Sequence, residues 1–103
     1  MVVSDLDGTL LTNDLTVTPR IKRTVAALKA RGIPFVIATG RSFLGMERFY
    51  RALELDTPAI CYNGAAVFDR TRDRKLFERP LPEAAARRAL ALKLGHSYTQ
   101  RLF

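Results

Sequence analysis

Two aspartates near the start of the chain have the side-chain type and the spacing needed for chemistry on a phosphate. Asp5 and Asp7 are separated by one residue and follow a short apolar segment, and Gly8 comes next. In a loop after a strand, both carboxylates can face one cavity and bind a hard cation such as Mg²⁺. One carboxylate can then attack phosphorus, and the other can act as general acid and base. Gly8 permits a backbone conformation in which amide groups point at phosphate oxygens.

The same pattern has two simpler interpretations. An Asp-x-Asp-Gly stretch is often a turn, and it also occurs at the start of calcium-binding loops. A calcium loop needs further Asp or Asn residues at alternate positions and a later Glu, whereas Thr-Leu-Leu follows here at 9–11. The calcium loop is therefore rejected, and the turn alone stays open at this point.

A second group of polar residues follows the apolar run at 35–38. The Thr39 hydroxyl can donate to a phosphate oxygen, and Gly40 lets backbone and ligand approach closely. The planar guanidinium of Arg41 matches an oxyanion and is expected to hold a second anionic group or the leaving-group side of a substrate. A helix that begins just after it would add the positive end of its dipole. Taken alone, Thr39-Gly40 is more typical of a plain strand end.

A third candidate is Asn63-Gly64, which follows the apolar run at 59–62. In isolation this dipeptide predicts a tight turn between strands rather than a ligand contact. Cys61 within the apolar run is expected to fill the core. His96, the single histidine of the chain, has no metal-ligating neighbours in sequence and is expected at the surface.

The elements predicted around these residues place all three groups together. Strands are expected at 2–4, 35–38 and 59–62, with amphipathic helices between them that start after Thr18 and around Met46. Strand, helix, strand, helix, strand indicates right-handed crossovers in a parallel sheet, hence a three-layer α/β fold. Ligands bind beyond the carboxyl ends of such strands, where the three polar groups lie. A hairpin of residues 65–68 and 75–78 and a helix over 82–94 are expected to follow.

Composition limits the classes of partner. The formal charge is +7, from 17 Lys and Arg against 10 Asp and Glu. The basic residues are dispersed over separate segments without interleaved aromatic residues, which does not favour nucleic-acid binding over a phosphorylated small molecule. No apolar run is long enough to cross a membrane. One cysteine and no secretory signal predict a cytoplasmic location.

Three segments together, DLDGTLL at 5–11, IATGR at 37–41 and YNGA at 62–65, resemble the haloacid dehalogenase superfamily and, within it, the Cof-type sugar-phosphate phosphatases. The resemblance covers about the first 95 residues. It implies that Asp5 is the nucleophile, forming an aspartyl-phosphate, and Asp7 the general acid and base. It also implies that Mg²⁺ is held by the Asp5 side chain and the Asp7 main-chain carbonyl. The remaining expected site residues bind the phosphoryl group or line the substrate side: Gly8, Thr39, Gly40, Arg41, Asn63 and Gly64.

The resemblance also defines what the sequence lacks. Residues 1–79 would form a partial core with the hairpin, and residues 80–103 the start of an incomplete cap. Family members continue to a lysine that steadies the phosphoaspartate and to a Gly-Asp-x-x-x-Asp loop that completes the metal site. Neither Lys75 nor Lys93 lies in such a context. We therefore expect weak or absent turnover.

The alternative is an inactive, truncated fragment that self-associates through the unpaired edge of the first strand or binds a partner. A related phosphotransferase, such as a mutase, would share the chemistry of Asp5.

Overall fold

Strands and helices alternate in the first part of the chain, and a hairpin and a further helix follow. A computed structural model describes residues 1–92. Its elements are β1 (Val2–Ser4), α1 (Pro19–Ala30), β2 (Phe35–Ile37), α2 (Phe43–Ala52), β3 (Ala59–Cys61), β4 (Ala66–Asp69), β5 (Arg74–Glu78) and α3 (Glu83–Ala91). The predicted order of elements is confirmed.

The strands join into a mixed sheet whose first part is parallel. β1 pairs with β2 in parallel, with Val3 opposite Val36. A parallel bridge between Ala38 and Ile60 connects β2 to β3. β4 and β5 then add antiparallel partners in the order β3-β4-β5. The predicted α/β class with a parallel sheet is therefore confirmed, and the carboxyl ends of β1, β2 and β3 meet at one edge.

Both long helices begin at polar caps that the local sequence supplies. The Thr18 hydroxyl accepts a hydrogen bond from the Ile21 amide at 3.3 Å, and Pro19 occupies the first helical position, where a missing N–H costs nothing. Gly32 follows the end of α1 with a φ of +67°, a left-handed conformation that glycine adopts without strain. In α2, the Ser42 hydroxyl accepts from the Gly45 amide at 3.1 Å.

The main core lies between the sheet and the two helices. Met46, Phe49 and Tyr50 form the buried side of α2, and Leu53, which caps its end, is buried beside them, as their spacing predicts. Cys61 is also fully buried. In β2 the core cluster includes Phe35 and Ile37 but omits Val36, which lies between them. Alternate strand residues point to opposite faces, so the helices cover one face of the sheet.

The opposite face of the sheet carries an apolar row. Val3 pairs with Val36, Ile60 with Val67, and Val67 with Phe77, and paired residues of adjacent strands share a face. None of these five residues belongs to the main core cluster. The two ends of the row are open, because Val3 is 48% and Phe77 49% exposed.

The hairpin forms close to its predicted limits and contains a register shift between Val67 and Phe68. In its turn, the buried Asp69 carboxylate accepts from the Thr71 hydroxyl, the Thr71 amide and the Arg72 amide. The last predicted helix is observed as Glu83–Ala91, and its expected end at 93–94, like His96, lies outside the described residues. Among residues 1–92, every helix is too short or too polar to span a bilayer.

Candidate active site

An open cleft of about 440 Å³ lies at the carboxyl edge of the parallel strands. The residues that line the cleft come from the ends of all three parallel strands, β1, β2 and β3. They are Asp5, Ala38, Thr39, Gly40, Ile60, Asn63 and Gly64. Five of the eight residues proposed from the sequence therefore line one concave surface.

The loop after β1 is anchored by leucines and presents its acids outward. Leu6 is fully buried and Leu11 nearly so, and the Leu11 amide donates to the Leu6 carbonyl at 2.9 Å, closing a single wide turn. Gly8 lies in that turn with a φ of +75°, which a residue with a Cβ rarely adopts. Because Leu6 points into the core, Asp5 and Asp7 on either side of it are exposed.

Main-chain hydrogen bonds join the loops after β2 and β3. The Asn63 amide donates to the Thr39 carbonyl at 3.2 Å, and the Tyr62 amide donates to the Arg41 carbonyl at 3.1 Å. Thr39 is only 4% exposed, and its hydroxyl oxygen accepts from the Arg41 amide at 3.2 Å. Since that hydroxyl accepts this bond, its proton remains able to donate to a ligand oxygen.

The loop after β3 is held in an unusual backbone conformation. Tyr62, Asn63 and Gly64 have successive φ values of 52°, 53° and 92°. The left-handed region costs a non-glycine residue about 1–2 kcal/mol. Such strain persists only where the surroundings fix it, and the two main-chain bonds to the β2 loop do so here. The Asn63 side chain is thereby brought against Gly40.

Asp7 and Arg41 form a two-pronged ion pair across the loops. Arg41 Nε donates to Asp7 Oδ2 at 2.8 Å, and Nη2 donates to Oδ1 at 2.6 Å. The hydrogen bond from Arg41, aided by its charge, lowers the pKa of the Asp7 carboxyl, and the same contact raises the pKa of Arg41. The contact with Arg41 therefore favours the ionised form of the Asp7 carboxyl.

The predicted residues thus divide into two neighbouring sets. Asp5, Thr39, Gly40, Asn63 and Gly64 line the cleft, whereas Asp7 and Arg41 are bound to each other beside it, and Gly8 lies in the connecting turn.

Sequence reasoning placed Phe49 in the core only. Its ring also lies under the Arg41 guanidinium, 5.4 Å from the central carbon. Nothing in the sequence distinguished this contact from an ordinary helix–core contact.

A cation at this site would find a small set of hard oxygen donors. Within residues 1–92, no hydrogen bond or ion pair engages the Asp5 carboxylate, whereas that of Asp7 is held by Arg41. No group of three or more acidic, His or Cys side chains is placed to hold a metal in this part of the chain. One free carboxylate, together with the phosphate of a bound substrate, would suit Mg²⁺, which is commonly bound by one or two carboxylates together with substrate phosphates and water.

The strand order, the acidic loop after β1 and the cleft with Thr39 define a known class of protein. Residues 2–101 match the family of haloacid dehalogenase-like hydrolases. The chain belongs to this family. The resemblance to this family that the sequence predicts is therefore confirmed.

Curated relatives carry phosphatase names. The chain is 36% identical over 96 residues to pyridoxal phosphate phosphatase YbhA of Escherichia coli, covering 93% of this chain and 35% of that protein. It is 39% identical over 67 residues to the 5-amino-6-(5-phospho-D-ribitylamino)uracil phosphatase YitU of Bacillus subtilis, covering 65% of this chain and 25% of the relative. The chain thus spans about a third or less of the length of these relatives.

Solved structures show the same fold. A haloacid dehalogenase-like hydrolase from Bacteroides thetaiotaomicron superimposes with a TM-score of 0.78 at 26% identity, over 86% of this chain and 35% of that one. Another from Bacillus subtilis gives a TM-score of 0.78 at 27% identity, over 87% of this chain and 31% of the other.

Proposed function

We propose that this chain carries the nucleophile-bearing part of a Mg²⁺-dependent phosphate-monoester hydrolase that acts through an aspartyl-phosphate at Asp5. The observation that supports it most is the cleft in which the Asp5 carboxylate lies with Thr39 and Asn63. Among the described residues the Asp5 carboxylate has no protein partner, and its place beside a hydroxyl able to donate suits attack on a bound phosphoryl group.

In this proposal the residues have distinct roles. The Asp5 carboxylate attacks phosphorus, the alcohol leaves, and water later hydrolyses the acyl phosphate. The Thr39 hydroxyl donates to a phosphoryl oxygen. Asp7 is ionised while it is paired with Arg41, so it takes up a proton before it protonates the leaving oxygen, and it then accepts a proton from water. Gly8 shapes the loop, while Gly40 and Gly64 keep the cleft open to the ligand.

The cation would be held by the Asp5 carboxylate and the Asp7 main-chain carbonyl. When bound, Mg²⁺ neutralises negative charge that develops between carboxylate and phosphate. Within residues 1–92, the chain keeps the Asp5 carboxylate free of other protein partners while Arg41 occupies Asp7.

The substrate class proposed is sugar phosphates and similar small phosphorylated metabolites. The relatives' names describe phosphatases of pyridoxal phosphate and of a phosphoribitylamino uracil, which are small phosphate esters of unlike structure. We assign residues 1–79 to a core with its hairpin and 80–103 to the beginning of a cap. A cytoplasmic location is part of the proposal and agrees with the free, buried Cys61 thiol.

Hydrolysis of p-nitrophenyl phosphate by the full chain tests this function. We expect weak, Mg²⁺-dependent release of p-nitrophenol, slow because the lysine and the second acidic loop of the family pattern are not among these residues. Chelation by EDTA should abolish this release, and Asp5→Asn should eliminate it. Asp73→Asn is the matched control, because Asp73 lies in the exposed hairpin turn. Turnover that is unchanged in Asp5→Asn, or no turnover with or without Mg²⁺, would contradict the proposal for this chain.

The apolar row, whose end residues Val3 and Phe77 are about half exposed, supports a second candidate, a fragment that self-associates or binds a partner. Within the described residues, β1 pairs with β2 alone, so its other edge is open next to the half-exposed Val3. Size-exclusion chromatography with light scattering tests this candidate. Self-association predicts a mass above the 11.6 kDa monomer that returns to the monomer value in Val3→Lys.

A further inference from the structure

The ion pair between Asp7 and Arg41 connects two loops 34 residues apart in sequence. Two hydrogen bonds, at 2.8 and 2.6 Å, join Nε and Nη2 of the guanidinium to the two carboxylate oxygens. The side chains are 29% exposed for Arg41 and 44% for Asp7. A two-pronged geometry fixes the plane of a carboxylate as well as its distance, which a single contact cannot do.

Arg41 is itself held in place from several sides. Its guanidinium lies over the buried ring of Phe49, and Nη1 approaches the Gly45 carbonyl at 3.4 Å. Its main chain donates to the Thr39 hydroxyl and accepts from the Tyr62 amide. A guanidinium held in this way loses little further conformational freedom when it binds a carboxylate, so it can fix the position of the Asp7 side chain.

From this arrangement we infer that Arg41 is a positioning residue that fixes the Asp7 carboxylate beside the cleft and leaves Asp5 as the carboxylate open to ligand. This inference rests on the proposed function. It replaces the expectation that Arg41 contacts a second anionic group of the substrate, because the Nε–Nη2 edge that would receive such a group is occupied by Asp7.

An ordinary surface ion pair is the simpler alternative. Exposed ion pairs between flexible side chains contribute little, and Arg87 with Glu83 on α3 is such a pair, since both side chains are more than three-quarters exposed. The Asp7–Arg41 pair differs because the arginine is packed on an aromatic ring and its main chain is tied to the loop that bears Thr39.

The pairing itself can be measured without turnover. In the ¹⁵N-labelled full chain, the Nε–Hε cross-peak of Arg41 is assigned by its loss in Arg41→Lys. We expect Asp7→Asn to shift this cross-peak and Glu83→Gln to leave it in place while moving that of Arg87. An Arg41 cross-peak that does not respond to Asp7→Asn would overturn the inference.

Kinetics with p-nitrophenyl phosphate separate positioning from substrate contact. Arg41→Met should lower kcat by about 10- to 100-fold, with KM changed less than about twofold, and Arg41→Lys should recover part of the loss. A raised KM with unchanged kcat would make Arg41 a substrate contact and overturn the inference. If the wild-type chain shows no turnover, the proposed function fails, and the cross-peak alone decides whether Arg41 holds Asp7.

Discussion

The side chain of Asn63 occupies the space that a side chain on residue 40 would need. A Cβ built on Gly40 would lie 2.9 Å from Asn63 Oδ1, closer than non-bonded atoms normally approach. Because Gly40 has no side chain, the Asn63 amide can lie at the mouth of the cleft. Because Oδ1 is the end of a side chain, the amide can move away from an added methyl group without unfolding the sheet.

Gly40→Ala should therefore displace the Asn63 amide. It should have a large effect on kcat/KM and only a small effect on Tm. We expect a small fall in Tm and a loss of kcat/KM on p-nitrophenyl phosphate of about tenfold or more, of the order produced by misplacing a site residue. The double-mutant cycle with Asn63→Ala provides the control. If Gly40→Ala lowers Tm equally with and without Asn63, the close contact is not the cause.

Binding of Mg²⁺ should depend unequally on the two aspartates. Asp5 has no side-chain partner among the described residues, whereas the Asp7 carboxylate is occupied by Arg41. Isothermal titration calorimetry of the full chain is expected to show Mg²⁺ binding that Asp5→Asn abolishes. Asp7→Asn should retain it, with Kd changed less than about fivefold. Equal losses in both variants would show that both side chains bind the cation.

Much of this fold could be predicted because its signals are local. The helix start at Thr18-Pro19 and the buried positions of α2 follow from capping and from helical spacing, and both are observed. The meeting of three strand ends follows from the topology of parallel sheets, so the cleft around Asp5 and Thr39 was also predictable.

The contacts between loops could not be predicted in the same way. Whether the Arg41 side chain points toward a ligand or toward Asp7 depends on how two separate loops orient their side chains. The sequence does not predict the relative orientation of these loops. The close approach of Asn63 to Gly40 likewise depends on the left-handed conformation of the loop after β3. The Asn63-Gly64 dipeptide predicts a turn, and a turn is observed there. The cleft that this turn lines results from tertiary packing, which the dipeptide alone does not predict.

Truncating the core of α2 should destabilise the chain more than truncating its surface. Met46 is fully buried, whereas Leu44, two residues earlier on the same helix, is 83% exposed. Met46→Ala is expected to lower the free energy of unfolding by about 2–5 kcal/mol, and Leu44→Ala by less than about 0.5 kcal/mol. Urea denaturation followed by circular dichroism measures both. A similar loss of unfolding free energy in the two variants would mean that α2 packs against the core through a face other than the one that carries Met46.

The hairpin turn should make stability depend on pH through Asp69. Hydrogen bonds to its carboxylate, first from the Thr71 hydroxyl and then from main-chain amides, lower its pKa in the folded chain, with added help from the charge of Arg72. A depressed folded-state pKa stabilises the fold above the unfolded value of about 4, and this contribution is lost as the pH falls through the folded-state value.

Replacing that carboxylate separates its charge from its hydrogen bonds. Asp69→Asn keeps an acceptor oxygen and loses the charge, so its Tm should lie below the wild-type value at pH 7 and approach it near about pH 2. Asp69→Ala removes the acceptor as well and should lower Tm further at pH 7, since the Thr71 and Arg72 amides lose their partner. Thermal denaturation of the three chains at both pH values provides the comparison, with Asp73→Asn as the control for a charge lost from the exposed side of the same turn. If the difference in Tm between wild type and Asp69→Asn stays constant from pH 7 to about pH 2, the ionised carboxylate is not stabilised by the fold.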